Sequence, residues 1–217
     1  MRYIHHDAHP VKKSTVHLFV FDTMSDWEYG YLIAGINNPQ FQKTPEAFTV
    51  KTVSVSDEPV TTMGGLRITA DFTLSKLKPT GSAMLVLPGG AAWGMKQNKE
   101  AVEVAAEFVA NGTPVTAICG ATVGLASLGL LDGVPHTSNS KDYIAATGYK
   151  GGAFFRDKPA VKSGNLITAS AMSPLEFARE VFSMLDVYSE AALAAWYSLF
   201  KSGDAKYFAA LMRSADA

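Results

Sequence analysis

The most constraining feature of this sequence is the stretch 116–122, TAICGAT, which contains the only cysteine among 217 residues. A turn signal at Gly112 and Pro114 precedes it, and the apolar run that follows is short enough to be a buried strand of a parallel sheet. From Gly120 onward, a run of small residues predicts a helix. We therefore expect Cys119 at the junction between a strand and a helix.

This position favours a reactive Cys119. The free N–H groups at a helix start, together with the positive end of the helix dipole, favour a thiolate. Ala117 and Ala121 are small enough for the sharp backbone reversal of a nucleophile elbow. The alternative is a buried structural cysteine, because free cysteine is among the most buried residue types. The rest of the sequence has to decide between the two.

Strand and helix patterns alternate along the chain. Besides the run before Cys119, the predicted strands are 16–21, 48–55, 83–87 and 165–169. The predicted helices are 27–36, 100–111, 120–128 and 173–185. Strands separated by helices predict an α/β fold, with a mostly parallel, doubly wound sheet covered by helices in a three-layer sandwich.

Glu28 is a second candidate for function. Asp26 is the predicted N-cap of the helix 27–36, which would put Glu28 in the first helical turn, at the carboxyl end of a strand. Open parallel sheets bind ligands at this edge. The alternative is a glutamate that only complements the helix dipole.

The segment Pro88-Gly89-Gly90 follows the predicted central strand 83–87. Two glycines there allow the backbone to approach a bound group and to direct N–H donors at it. The alternative is a tight turn between a strand and a helix.

Two other local signals concern the fold alone. Paired glycines between β-branched residues predict a hairpin within 60–70. Ser173, with Pro174 at the first helical position and Glu176 three residues after the cap, predicts a capping box at the start of the last core helix.

The two ends of the chain are separate from the predicted core. Residues 1–15 include three of the five histidines, and we expect a flexible arm there rather than a metal-binding tract. The domain is expected over 16–187. Residues 188–217 predict a helical extension whose apolar side chains must pack on the domain or on a partner subunit.

Composition narrows the classes of function. A net charge of −1 does not favour binding to nucleic acid or to an anionic membrane, both of which attract strongly basic proteins. We therefore expect a small-molecule or protein partner. The single cysteine excludes an intrachain disulfide, and a free thiol suits the reducing cytoplasm. No run approaches the ~18 apolar residues of a membrane span, and the polar N-terminus lacks the apolar core of a signal peptide.

No sequence signature requires a cofactor. The glycines at 89, 90 and 94 lack the spacing of a dinucleotide-binding motif, and no phosphate-loop lysine follows a glycine run. Cysteine and histidine do not recur at the spacing of a structural zinc site. We expect neither an obligatory cofactor nor a metal.

Four segments, in matching order and spacing, resemble the DJ-1/PfpI (ThiJ) superfamily, which is related to class I glutamine amidotransferases. They are DWE at 26–28, LVLPGG at 85–90, AICGA at 117–121 and NLITA at 165–169. The resemblance, over about 16–185, implies a flavodoxin-like fold and a homodimer. It also implies that Cys119 is the nucleophile, that Glu28 assists it, and that the backbone N–H groups of Gly90 and Gly120 stabilise an oxyanion.

The sequence departs from this family at two positions. Members thought to act as peptidases have a histidine directly after the nucleophile, where this chain has Gly120. Another family histidine follows a pair of hydroxyl residues, where this chain has Asn139. His136 lies three positions before Asn139 and would face the opposite side of a strand. His136 and Asn139 are therefore possible accessory residues, and a Cys-His-acid triad is not secured.

Three classes of function remain open. The leading hypothesis is a cysteine-dependent hydrolase or lyase, resembling glutamine amidotransferases or glyoxalases and acting on small carbonyl or amide substrates. The alternative is an oxidative-stress sensor in which a low-pKa Cys119 is oxidised without turnover. An intracellular peptidase and a pure interaction protein are less favoured.

Overall fold

The computed structural model describes residues 13–94 and 97–215. Within these residues the strands are β1 (Ser14–Phe19), β2 (Phe48–Ser54), β3 (Val60–Thr61), β4 (Arg67–Ile68), β5 (Phe72–Thr73), β6 (Met84–Leu87), β7 (Val115–Ile118), β8 (Ala160–Ser163) and β9 (Leu166–Ala169). The α-helices are α1 (Gly30–Asn37), α2 (Lys99–Ala110), α3 (Ala121–Ser127), α4 (Lys141–Ala145), α5 (Pro174–Met184), α6 (Glu190–Ser202) and α7 (Ala205–Ala215).

Seven of these strands form one sheet in the order β5-β2-β1-β6-β7-β9-β8. Every pair is parallel except β8 with β9, and β3 pairs with β4 in a separate antiparallel hairpin. The central strands β6 and β7 are buried along their whole length, as expected for continuous apolar runs covered on both faces. The predicted α/β fold with a mostly parallel, doubly wound sheet is confirmed.

Helices cover both faces of the sheet. α1 packs on α5, and α2 packs on α3. A close approach between α1 and α5 depends on Gly35, because a Cβ at this position would collide with the ring of Phe182. Phe182 itself is fully buried, and burial of such a ring contributes about 1.5–3 kcal/mol.

The prediction of a helix beginning near Trp27 is wrong. Residues 26–29 form turns, and α1 begins at Gly30. Asp26 does not cap this helix, because its carboxylate accepts a hydrogen bond from the Gly64 N–H at 2.6 Å and so holds the β3–β4 hairpin. Glu28 consequently precedes the helix instead of lying in its first turn. The hairpin itself agrees with the prediction for 60–70.

The predicted capping box is also wrong, although Pro174 does begin α5. The Ser173 side chain makes no cap bond and pairs with the Ser170 hydroxyl at 2.9 Å. The Ser173 N–H donates to the Ser170 carbonyl oxygen at 3.0 Å rather than to Glu176. The Glu176 carboxylate accepts hydrogen bonds from the Tyr197 hydroxyl at 2.8 Å and from Lys201 Nζ at 2.7 Å. Both side chains therefore hold neighbouring segments together.

The C-terminal helices pack on the chain's own domain. Trp196 of α6 is buried against Phe182 and Tyr188, with ring centroids 5.0 and 6.5 Å away. The Tyr188 hydroxyl donates to the Gly35 carbonyl oxygen at 3.1 Å, which ties the start of this extension to α1. Leu211 of α7 is buried as well.

Three elements were not predicted from the sequence, the first of them the short edge strand β5. β8 returns antiparallel to β9 through a turn at Gly164, and α4 is a single short helix after Ser140. The predicted N-terminal arm lies outside the described residues up to residue 12. None of the helices in the described ranges is both long and apolar enough to cross a membrane.

Candidate active site

Cys119 lies immediately after β7 and has a φ of +59°, in the left-handed region. A side chain with a Cβ adopts this conformation at a cost of about 1–2 kcal/mol, and such strain is concentrated at functional sites. Its N–H donates to the Ala169 carbonyl oxygen at the end of β9, at 3.0 Å. Gly120 then leads into α3. Cys119 therefore lies in a sharp, strained elbow between a strand and a helix, the position that the sequence predicted.

A buried hydroxyl pair holds the elbow. Thr122 Oγ1 donates to the Cys119 carbonyl oxygen at 2.6 Å and lies 2.7 Å from Ser138 Oγ. Because a hydroxyl has only one proton and that of Thr122 is used by the carbonyl, Ser138 donates to Thr122. The segment around Ser138 is therefore tied to the strained cysteine.

Glu28 lies in the loop after β1, beside Cys119, and is only 1% exposed. Its Oε2 accepts a hydrogen bond from the Gly89 N–H at 2.5 Å. Oε1 has no hydrogen-bond partner among the described residues. A Cβ on Gly89 would lie 2.6 Å from Glu28 Oε2 and 2.5 Å from Cys119 Cβ, so this close backbone approach requires glycine.

The Cys119 thiol retains its proton at neutral pH, and the pKa of the neighbouring Glu28 carboxyl group is raised. Burial raises the pKa of Glu28, and the Gly89 N–H, the thiol and Ser25 oppose this rise only in part. Burial and the charge of Glu28 raise the pKa of Cys119 to about 11, against the effects of Asn139 and Gly120. The helix start predicted the opposite direction for the thiol. Burial and the neighbouring carboxylate outweigh it, so the pair holds at least one proton at neutral pH.

Asn139, one of the two possible accessory residues, contacts the sulfur. Its Nδ2 donates to Cys119 Sγ at 3.4 Å, while its Oδ1 accepts from the Ala171 N–H at 2.9 Å. The Ala171 carbonyl oxygen in turn accepts from the Trp27 indole N–H at 3.4 Å. These contacts fix the orientation of the amide. An amide cannot take up a proton, so Asn139 supplies a donor to the sulfur and no base.

His136, the other possible accessory residue, is not brought to Cys119. It is fully buried, with Nδ1 2.8 Å from the Val134 carbonyl oxygen and Nε2 3.0 Å from the Tyr149 hydroxyl. Burial lowers its pKa. Since both ring nitrogens have other partners, His136 is a neutral structural residue in this arrangement.

Gly90 and Gly120 lie next to each other. A Cβ on Gly120 would be 3.2 Å from the Gly90 carbonyl oxygen and 3.1 Å from Trp93 Cβ. The Gly120 N–H lies close enough to the sulfur to stabilise a thiolate. A Cβ on Gly90 would be 2.6 Å from the Thr23 carbonyl oxygen, so this position has no room for a side chain.

Several contacts at the site were not predicted from the sequence. The Thr122–Ser138 pair and the Ala171 backbone both act on the elbow or on Asn139. The sequence offered one signal for the role of Ala171, namely its position just after the carboxyl end of β9. In the described ranges, no group of three His, Cys, Asp or Glu side chains has the geometry to hold a metal ion.

The sheet order defines a doubly wound α/β protein with a strained cysteine at the end of a central strand. A model of the DJ-1/PfpI family matches residues 14–184, and the chain belongs to this family.

Two curated relatives have names that indicate enzymes. The chain is 44% identical over 202 residues to "Uncharacterized protease YoaZ" of Bacillus subtilis, covering 92% of this chain and 96% of that protein. It is 30% identical over 135 residues to "Deglycase PfpI" of Pyrococcus furiosus, covering 60% and 78%.

Two solved structures share the fold. A thiJ/pfpI family protein from Bacillus anthracis superposes with a TM-score of 0.88 at 44% identity, covering 94% of this chain and 98% of that one. A DJ-1 superfamily protein from Agrobacterium tumefaciens superposes with a TM-score of 0.78 at 28% identity, covering 88% and 98%.

Proposed function

We propose that this protein is a cysteine-dependent enzyme, a hydrolase or lyase acting on small carbonyl or amide substrates. Cys119 is its nucleophile and Glu28 carries the proton. The observation that carries the proposal is the strained Cys119 beside a buried carboxyl group whose Oε1 has no partner among the described residues. The protease and deglycase names of the relatives support an enzyme in general terms.

The chemistry follows from the shared proton. As Cys119 Sγ attacks a carbonyl carbon, a C–S bond forms, the C=O π bond breaks and the thiol proton passes to Glu28. The N–H groups of Gly90 and Gly120 stabilise the resulting oxyanion, and one such donor is worth about 3 kcal/mol in comparable sites. Glu28 then returns the proton to the oxygen or to a leaving amine. A carboxyl group with a raised pKa suits this exchange near neutral pH.

Small carbonyl substrates are favoured over peptides. Gly120 follows the nucleophile, and Asn139 cannot accept a proton from it. Glu28 is thus the carboxyl group beside the thiol that can accept its proton.

A test with a small dicarbonyl compound, methylglyoxal, addresses the proposal directly. Both Cys119→Ala and Cys119→Ser are expected to reduce its turnover at least 1,000-fold, since each removes the attacking sulfur. Glu176→Gln, at a buried glutamate away from the elbow, is the matched control and should retain turnover. Activity that survives in Cys119→Ala would reject the proposal.

The oxidant sensor and the enzyme both require a Cys119 thiolate. A pKa of about 11 disfavours the thiolate at neutral pH, so in either function Glu28 has to take the thiol proton. Titration with peroxide followed by intact mass measurement compares the two functions. Addition of two oxygens to Cys119 at two molar equivalents of peroxide, one for each oxygen, would favour the sensor.

We also propose that the enzyme works as a homodimer in the cytoplasm. The resemblance to the family supports the dimer, and a free thiol suits a reducing compartment. Exposed apolar side chains, among them Met172 at 82% and Phe208 at 51%, offer surface for association. Light scattering coupled to size-exclusion chromatography measures the mass, and a monomer at micromolar concentration would contradict the dimer.

A further inference from the structure

A groove of about 650 Å³ lies between α2, α3 and α4. Its volume falls in the range of small-molecule sites. Most of the lining is apolar: Trp93, Val102, Val123, Leu128, Tyr143 and Ala146. The reaction proposed for Cys119 does not use this groove, and its mostly apolar lining matches a ligand with an apolar portion.

Two lining residues connect the groove to the cysteine. Trp93 packs against Gly120, where a Cβ would lie 3.1 Å from Trp93 Cβ. Tyr143 lies in the first turn of α4, four residues after the Asn139 that contacts the sulfur. Burial, and then the charges of Cys119 and Glu28, raise the pKa of Tyr143. A ligand in the groove therefore lies beside the proposed reaction centre.

The groove also contains an unsatisfied donor. Asn98 is 4% exposed and lines the groove, and its Nδ2 has no hydrogen-bond partner in the described part of the chain. Asn98 precedes α2, but its side chain makes no cap bond there. The next residue, Lys99, lines the groove as well; its side chain is 79% exposed, and its Nζ lies 3.4 Å from Glu103 Oε1 and adds a positive charge at the rim. Buried amide donors are normally satisfied, and a donor beside a cation matches a carboxylate.

We propose that the groove binds an apolar chain ending in a carboxylate, as the part of the substrate that does not react. The carboxylate accepts from Asn98 Nδ2 and faces Lys99, while the chain packs on the apolar walls. The assignment of this ligand as a substrate rests on the proposed function of Cys119. Binding in the groove does not, because none of its lining residues is Cys119 or Glu28.

The first experiment measures binding without turnover. Octanoate, butyrate and octanol are titrated calorimetrically into the full-length Cys119→Ala protein. Octanoate is expected to bind saturably and at least tenfold more tightly than either butyrate, which lacks most of the chain, or octanol, which lacks the carboxylate. Absence of saturable octanoate binding, or equal affinity for the three compounds, overturns the proposal.

Matched variants then test the two halves of the groove. Asn98→Asp keeps a residue suited to a helix N-terminus but places a negative charge beside the carboxylate, so octanoate should bind at least tenfold more weakly and octanol unchanged. Ala146→Trp fills the groove and should weaken the binding of both octanoate and octanol at least tenfold. Ala145→Trp, at the neighbouring last residue of α4 and outside the lining, should weaken the binding of neither compound. Unchanged octanoate binding in Ala146→Trp overturns the location.

The two proposals fail separately. If the wild-type protein turns over methylglyoxal but octanoate does not bind, only the groove proposal fails. If octanoate binds as described but no Cys119-dependent turnover is found, the groove remains a carboxylate site and the proposed function fails.

Discussion

Two buried glutamates in this molecule have opposite electrostatic surroundings. Glu28 is 1% exposed and Glu176 is 6% exposed. Burial would raise the pKa of Glu176, but hydrogen bonds from Lys201 and Tyr197 outweigh it and lower the pKa. At Glu28 burial prevails, because the Gly89 N–H and weaker neighbours are its only compensation, and the pKa rises.

The difference distinguishes a structural carboxylate, Glu176, from one that is suited to proton transfer, Glu28. Glu176 fastens α6 to α5 through a cation and a hydroxyl, and it remains ionised. Glu28 has no cation among its neighbours in the described residues, so it can hold or release a proton near the thiol. A buried titratable group left in this state is a candidate for function.

The largest expected effect is on catalysis. Glu28→Gln should reduce kcat/KM for methylglyoxal at least 100-fold, because an amide of the same shape cannot carry the proton. Steady-state kinetics at neutral pH measures it. Glu176→Gln should remain within about twofold of the wild type. A Glu28→Gln protein with full activity would remove Glu28 from the mechanism.

The same variant should change the thiol. Loss of the Glu28 charge lowers the pKa of Cys119 from about 11, since that charge is one of the two main causes of the rise. The rate of alkylation by iodoacetamide, followed against pH, should therefore show a lower midpoint in Glu28→Gln than in the wild type. An unchanged midpoint would mean that burial alone sets the pKa of the thiol.

The pH dependence of stability should have opposite signs at the two glutamates. Because the pKa of Glu28 is raised, its contribution to the free energy of unfolding is fully present below the ordinary pKa of 4.5. This contribution is lost as pH rises through the folded-state pKa. Because the pKa of Glu176 is lowered, Glu176 stabilises the folded state above pH 4.5. This stabilisation is lost as pH falls through the folded-state pKa. Urea unfolding of Glu28→Gln and Glu176→Gln at several pH values measures both.

Relative to the wild type, Glu28→Gln should gain stability as pH rises above 4.5, whereas the loss in Glu176→Gln should shrink as pH falls below it. At neutral pH we expect Glu176→Gln to lose about 1.5–3 kcal/mol, as for a hydrogen bond to a charged group. Parallel pH profiles for the two variants would contradict the contrast.

The smallest expected effect concerns the strained elbow. Cys119→Gly should be more stable than Cys119→Ala by about 1 kcal/mol, because glycine adopts a φ of +59° without the steric cost of a Cβ. Urea unfolding at one pH compares the two proteins. A less stable glycine variant would indicate that contacts of the Cβ outweigh the backbone strain.

Local signals predicted the elements well and the side-chain partners poorly. The strands around Cys119 and the hairpin at 60–70 follow from apolar runs and glycine pairs, which act within a few residues. The cap predicted at Asp26 failed because its partner, Gly64, lies 38 residues away in sequence. The capping box failed for the same reason, since Lys201 binds Glu176 from a later helix.

The sequence by itself determined the alternation of strands and helices, and it marked Cys119, Glu28 and the glycine turn as neighbours at one edge of the sheet. Those features depend on periodicity, residue size and the common direction of parallel strands. Tertiary structure decided which accessory residue touches the sulfur, Asn139 and not His136. It also decided where the protons lie, because a pKa depends on burial and on charges contributed by distant parts of the chain.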